Sequence, residues 1–178
     1  MRSSNLGSKW DAIMTTGDLM TRDEDLQNHL IPLLKAQNCN AYATDANRDA
    51  APVSYFIGSA GGRISLETFP SGDEGVRIII PIVTGAEIPD DDLISLGNNY
   101  LPYGSLIYGF RDDGTANLAL IKSMLLQCGY EAIAREAALM LSYVDNIDDG
   151  FQERFGGTRN SDSDAQPASL ASRFLKRK

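Results

Sequence analysis

The sequence contains a single histidine, His29, which limits the chemistry that the chain can perform. A histidine that acts as a general base or a metal ligand needs partner groups close to it. His29 stands between Asn28 and Leu30 in a segment with helical spacing, and no partner is evident in the local sequence. The sequence therefore predicts a structural role for His29.

Nucleophile signatures are also missing. Ser105 lies in Tyr103-Gly104-Ser105-Leu106, which is not the GxSxG turn that exposes a catalytic serine. No nucleophile has a base in evidence, so we predict no catalytic residues and a protein that is not an enzyme. An enzyme whose residues converge from distant parts of the chain remains as a hypothesis.

Two groups of carboxylates could hold a hard cation such as magnesium or calcium. They are the run Asp90-Asp91-Asp92 and the set of Asp145, Asp148 and Asp149. The spaced ligands, glycine and distant glutamate of an EF-hand loop are absent. A charged first helical turn explains the run, because the helix dipole favours acidic side chains there. We therefore predict no metal site, and a solvated helix face for the second set.

Gly58, Gly61 and Gly62 resemble a nucleotide-binding loop only in composition. Neither GxGxxG nor GK[ST] is present, and a strand pattern follows where a helix would be needed. A turn spanning residues 58–62 is the prediction, with no cofactor. Cys39 and Cys128 have no metal-binding or redox spacing, so we expect two reduced thiols that are at least partly buried. A disulfide is the alternative.

The chain is acidic, with 178 residues and a net charge of −8. From Arg159 onward there are five basic and two acidic residues, so the preceding body carries about −11. Such a body repels phosphate backbones, which argues against nucleic-acid binding, and attracts basic or amphipathic protein segments. The start of the sequence lacks the apolar core of a secretory signal, and no run is long enough to span a bilayer. A cytoplasmic location is the resulting expectation.

Hydrophobic periodicity predicts one α+β domain, an antiparallel sheet with flanking helices in the order α-β-β-β-α-β-β-α. Thr21 and Glu24 form a capping box at the start of the first helix, and Pro32 is expected to kink or interrupt it. The predicted strands and later helices are Val53–Ile57, Arg63–Phe69, Val76–Ile82, a helix from Pro89, Gly104–Phe110, Asn117–Leu126 and Tyr130–Phe155. Residues 1–17 are expected to be weakly structured, 18–156 to form the domain, and 157–178 to be a disordered tail with a basic end.

This order of elements resembles the type III secretion chaperone fold, which YbjN-type domains share. The likeness is carried by the helix text Leu93-Ile94-Ser95-Leu96-Gly97-Asn98-Asn99 and by Tyr103-Gly104-Ser105-Leu106-Ile107-Tyr108. The turn Asp112-Asp113-Gly114, an apolar strand and a long final helix follow. The resemblance covers residues 18–155, and it implies a homodimer that binds an extended segment of another protein.

Apolar side chains on the first strands and the second helix are the candidate binding residues. An aromatic side chain presented outward by a sheet can anchor a partner. The residues predicted to bind a partner are Phe56, Phe69, Ile64 and Leu66. Burial of both sheet faces, by helices or a second subunit, is the alternative. The predicted dimer interface comprises Leu93, Ile94, Leu96 and Tyr100, and a fully buried second helix is the alternative there.

The sequence-based hypothesis is a dimeric, chaperone-like protein-binding module that holds a segment of a secreted or otherwise exported client. A YbjN-type regulatory protein, or an antitoxin-like or immunity-like inhibitor of a folded partner, is the second hypothesis. An adjacent gene for a secreted effector favours the first hypothesis, and an adjacent toxin gene favours the second.

Overall fold

The computed structural model describes residues 16–44, 51–98 and 101–159. Three helices and seven strands form an α+β fold, as predicted, and all strand pairings in the sheet are antiparallel. In chain order the elements are α1 (Thr16–Ala36), β1 (Asn40–Ala43), β2 (Val53–Ile57), β3 (Ala60–Thr68), β4 (Glu74–Ala86), α2 (Asp90–Asn98), β5 (Ser105–Phe110), β6 (Ala116–Leu125), α3 (Tyr130–Phe155) and β7 (Thr158–Arg159).

The strands are arranged in the order β1-β2-β3-β4-β6-β5, and β7 also pairs with β4. On one side of β4, residues up to Ile79 pair with β3, and residues from Val83 pair with β7. Pro81 therefore lies where β4 is paired with β6 alone, next to a register shift. This position suits a residue that has no backbone N–H to donate.

Residues opposite each other in adjacent antiparallel strands point to the same side of the sheet. One side, here called the helix face, carries Val53, Ile64 and Ile78, each 0% exposed. The ion pair of Lys122 with Glu136 (Nζ–Oε1, 2.5 Å) places α3 on this side. Three leucines of α1 and one stripe of α3 complete the core. The buried helix residues are Leu26, Leu30, Leu34, Ile133, Ala134, Ala137, Met140, Leu141 and Val144.

The opposite side, here called the open face, is defined by a row of register partners across six strands. None of the three described helices packs on it. The ion pair between Asp92 and Arg154 holds α2 beside α3, which lies on the helix face. Ile79 is nevertheless only 8% exposed there. The row consists of Tyr42, Ser54, Arg63, Ile79, Ile121 and Ser105.

The first helix differs from its prediction at its start, and Pro32 does not interrupt it. It begins at Thr16, so Thr21 lies inside the helix and is not its first cap. The helix also continues through Pro32 to Ala36 as one element. Pro32 is exposed, whereas Leu30 and Leu34 on either side are 0% exposed. Burying each leucine contributes about 1.5–3 kcal/mol, which offsets the hydrogen bond that proline removes.

Three further predictions about the strands require correction. Ala60, Gly61 and Gly62 belong to β3, so the β2–β3 turn is Gly58-Ser59 alone. The segment Asn40–Ala43 is a strand that the sequence analysis missed. The ordered chain also extends past residue 157, because Thr158 and Arg159 pair with Thr84 and Val83. Predictions for residues 1–15, 45–50 and 160–178 lie outside the described residues.

Candidate protein-binding surfaces

Strand β5 lies at an edge of the sheet, and in the described part of the chain nothing pairs with its outer side. Its six residues, Ser105–Phe110, include no charged side chain. Natural edge strands are commonly protected by charges, prolines or bulges, because their free backbone groups template pairing with another chain. Within Ser105–Phe110 no charge, proline or register shift supplies that protection.

Two aromatic side chains of β5 are exposed to solvent. Tyr108 is 45% exposed and Phe110 is 57% exposed, and their rings meet edge to face with centroids 5.7 Å apart. They stand two residues apart, so both point to the same side of the strand. We call Ser105–Phe110, with these two rings, the aromatic edge. It combines free backbone groups with two side chains suited to anchoring a partner.

A groove of about 460 Å³ adjoins the beginning of the aromatic edge. The pairing of β5 with β6 ends at Ile121. The groove lies beside the next two residues of β6, Lys122 and Ser123, which have no partner in β5. Arg77 also lines the groove, but Arg77 and Lys122 are paired with Glu67 and Glu136. The apolar part of the lining comes from Leu101, Pro102 and Ile121. An added strand on β5 would find room to continue here.

The partner-binding residues predicted from sequence occupy different environments. Phe56 lies on the open face, half-buried, with its ring stacked on Tyr42 at 5.7 Å. Phe69 is half-buried beside Gly75, with its ring where a β-carbon of that glycine would lie. Leu66 is half-buried against the core. Ile64 is 0% exposed on the helix face, so its side chain is not on a surface that a partner could contact.

The predicted dimer residues belong to α2 or follow it. Leu96 is half-buried and packs against the core. The side chains of Leu93 and Ile94, and all of Tyr100, lie outside the described part of the structure. Because α2 contacts β5, this helix borders the aromatic edge. Sequence reasoning missed Tyr108 and Phe110, since an uncharged strand is more typical of the centre of a sheet than of its edge.

The residues considered for chemistry form two other sites. His29 is exposed and stacks on Tyr130 at 4.6 Å, and its Nδ1 lies 2.8 Å from the Asp25 carbonyl oxygen. It lines an open groove of about 780 Å³ between α1 and α3, together with Cys128.

Cys39 is buried, but Cys128 is exposed, so the expectation that both thiols are at least partly buried is wrong for Cys128. Both thiols are free.

Two carboxylates of α3 accept hydrogen bonds from the β2–β3 turn. Asp145 Oδ1 accepts hydrogen bonds from the Ser59 backbone N–H (2.8 Å) and hydroxyl (3.1 Å) and from the Ala60 N–H (3.3 Å). Asp148 Oδ2 also accepts from the Ser59 hydroxyl, at 3.0 Å. Asp148 is only 2% exposed, so the predicted solvated face is wrong for this residue. Among the described residues, no group of three or more His, Cys, Asp or Glu is arranged to hold a metal ion.

No protein-family model matches the chain, and no curated protein has a significantly similar sequence. None of the described helices is long and apolar enough to cross a membrane.

Proposed function

We propose that the chain is a dimeric, chaperone-like protein-binding module that joins two copies at the aromatic edge and holds an extended segment of a client protein. The observation that carries the proposal is an uncharged, unpaired edge strand bearing two exposed aromatic rings, Tyr108 and Phe110.

A second copy suits this edge for reasons of symmetry and charge. Two copies of one strand, paired antiparallel about a two-fold axis, present the same residues to each other and need no separate complementary surface. The chain carries −8, so most of its surface repels a second copy, whereas Ser105–Phe110 contributes no charge to such a contact. Pairing would satisfy the free backbone groups and cover Tyr108 and Phe110.

Client binding is supported by the acidic body and by the resemblance to secretion chaperones. A body of about −11 attracts basic or amphipathic segments and keeps the complex soluble. Half-buried Phe56, beside exposed Tyr42, offers an apolar contact on the open face for such a segment.

Light scattering after size-exclusion chromatography tests the dimer. The wild type should have about twice the chain mass of 19.3 kDa, and Phe110→Lys should have the monomer mass. A lysine on an edge strand opposes pairing through its charge and its lost ring. Leu139→Lys is the matched control, since Leu139 is 43% exposed and belongs to α3, which is not part of the aromatic edge, and should leave the dimer intact. A monomeric wild type, or a dimer that survives Phe110→Lys, contradicts the proposed interface.

Photo-crosslinking in the native cell tests the client. A crosslinking amino acid in place of Tyr42 should capture the unfolded region of an exported protein, and one in place of Leu139 should not. Capture of a folded enzyme or toxin from Tyr42 would favour the regulator or inhibitor hypothesis instead.

A further inference from the structure

Arg63 occupies an unusual position at the centre of the open face. It stands in the middle of β3, opposite Ser54 of β2 and Ile79 of β4. Arg63 is 7% exposed, although no described helix covers this side of the sheet. Arginine is rarely buried to this extent without a partner that balances its charge.

No such partner is present among the described residues. Nη1 of Arg63 is fully buried and makes no hydrogen bond, and none of the ion pairs between described residues involves Arg63. Burial lowers the pKa of the guanidinium, and the nearby Tyr42 hydroxyl acts in the opposite direction. A guanidinium still keeps its proton in proteins, so the N–H groups of the buried Nη1 lack an acceptor.

The neighbours of Arg63 do not supply that acceptor. The Ser54 hydroxyl is bonded to the Thr44 hydroxyl at 2.8 Å. The nearest carboxylate along β3 on this face is Glu67, which is paired with Arg77 (Nε–Oε2, 2.5 Å). In the strand positions of the open face, two arginines thus stand against one glutamate, in a chain whose net charge is −8. The face is locally positive and complementary to an anion.

We propose that Arg63 anchors a carboxylate-binding site on the open face, independently of whether the aromatic edge forms a dimer. A single planar guanidinium matches one carboxylate through two parallel hydrogen bonds, whereas a phosphate dianion favours more than one cation. The stacked rings of Tyr42 and Phe56 lie on the same face and can contact an apolar group that carries the carboxylate. The ligand is therefore an organic acid with a flat apolar portion.

Thermal unfolding with three anions tests the site, using sodium benzoate, acetate and phosphate against chloride at equal ionic strength. At about ten times its dissociation constant, benzoate should raise the Tm by roughly 3–6 °C, and the other two anions should act only at higher concentration. Arg63→Gln should abolish the rise. Arg77→Gln is the matched control on the same face and should retain it, because Arg77 is already paired with Glu67.

NMR of the wild type provides a measurement that does not depend on how the variants fold. The Nε–H resonance of Arg63 should move on addition of benzoate, and that of Arg77 should not. The site is refuted by a static Arg63 resonance or by an equal Tm rise in wild type and Arg63→Gln. Tighter binding of phosphate than of benzoate would refute the assignment to a carboxylate.

Discussion

Asp145 and Asp148 lie on the same stretch of α3 and contact the same turn, yet their hydrogen bonding and burial differ. Asp145 Oδ1 accepts three hydrogen bonds, two of them from backbone N–H groups, those of Ser59 in the β2–β3 turn and Ala60 at the start of β3. Asp148 is buried with one oxygen, Oδ1, lacking any hydrogen-bond partner. Burial raises the pKa of Asp148, and the charge of Asp149 adds to the shift, while hydrogen bonds from the Ser59 hydroxyl and the Asp149 backbone and the charge of Arg159 oppose it.

The sign of the pH dependence follows from the raised pKa of Asp148. Its contribution to stability is complete below the unfolded-state value, near 3.8, where the carboxyl is protonated in both states. The contribution is lost as the pH rises through the folded-state pKa, because the charged form is then buried. At neutral pH the ionised Asp148 therefore lowers the free energy of unfolding.

Matched substitutions separate the two carboxylates. Asp145→Asn should lower the free energy of unfolding by about 1–2 kcal/mol at pH 7, since an amide oxygen accepts more weakly than a carboxylate. Asp148→Asn should raise it at pH 7, and the difference from wild type should vanish towards pH 3.8. Urea unfolding at several pH values measures both. A destabilised Asp148→Asn whose effect does not change with pH would contradict a buried, uncompensated charge.

At the scale of elements, Gly62 shows why a glycine-rich stretch can belong to a strand. Gly62 pairs with Tyr55 in register, and the Tyr55 ring lies where a β-carbon of Gly62 would be, at 2.7 Å. Tyr55 is 0% exposed, so its ring fills the space above the glycine and protects that part of the sheet from water. In the sequence these glycines resemble a turn, because the tyrosine that covers Gly62 is seven residues away.

Two glycine-to-alanine substitutions should have opposite effects for this reason. Gly62→Ala should lower the free energy of unfolding by about 1–3 kcal/mol, because the methyl group displaces the Tyr55 ring. Gly150→Ala, in the exposed part of α3 with open space around it, should raise it by about 0.5–1 kcal/mol through helix propensity. Equilibrium denaturation of both variants is the measurement. Equal tolerance at the two sites would show that Tyr55 does not pack as described.

Elements with long, strong patterns could be predicted from the sequence, and elements defined by their neighbours could not. The bounds predicted for β2 and α3 match the structure, because a β-branched, aromatic run specifies β2 and an apolar stripe that recurs along 26 residues specifies α3. β1 and β7 have four and two residues, and each is a strand only because β2 or β4 lies beside it. The same limit applies to the candidate sites, since local sequence did not indicate that β5 is an edge or that Arg63 is enclosed.

For the whole molecule, charge and sheet architecture divide the surface into regions of different character. The body is strongly acidic, β5 carries no charge, and the open face has an excess of one arginine over its glutamate. The proposed dimer contact and the proposed carboxylate site therefore lie where the general repulsion of an acidic protein is weakest. They point to different sides of the sheet, so one molecule could use both.

The two cysteines report on the stability of the whole fold. Cys128 is exposed near the start of α3, whereas Cys39 is 4% exposed in the core beneath α1. Burial also raises the pKa of the Cys39 thiol, which lowers the fraction of reactive thiolate. A thiol reagent should therefore modify one cysteine at once and reach the second only through opening of the core.

Thiol labelling under native conditions should be biphasic, with the slow phase at least about 10³-fold slower, as expected for a domain stable by 5 kcal/mol or more. Cys128→Ser should remove the fast phase and Cys39→Ala the slow one, which assigns each phase to a residue. The slow rate should increase with urea in parallel with global unfolding, because Cys39 belongs to the core cluster that also contains residues of α1 and β1. Two fast phases would show that the core beneath α1 opens independently of the sheet, and no reaction at all would indicate that the thiols are joined.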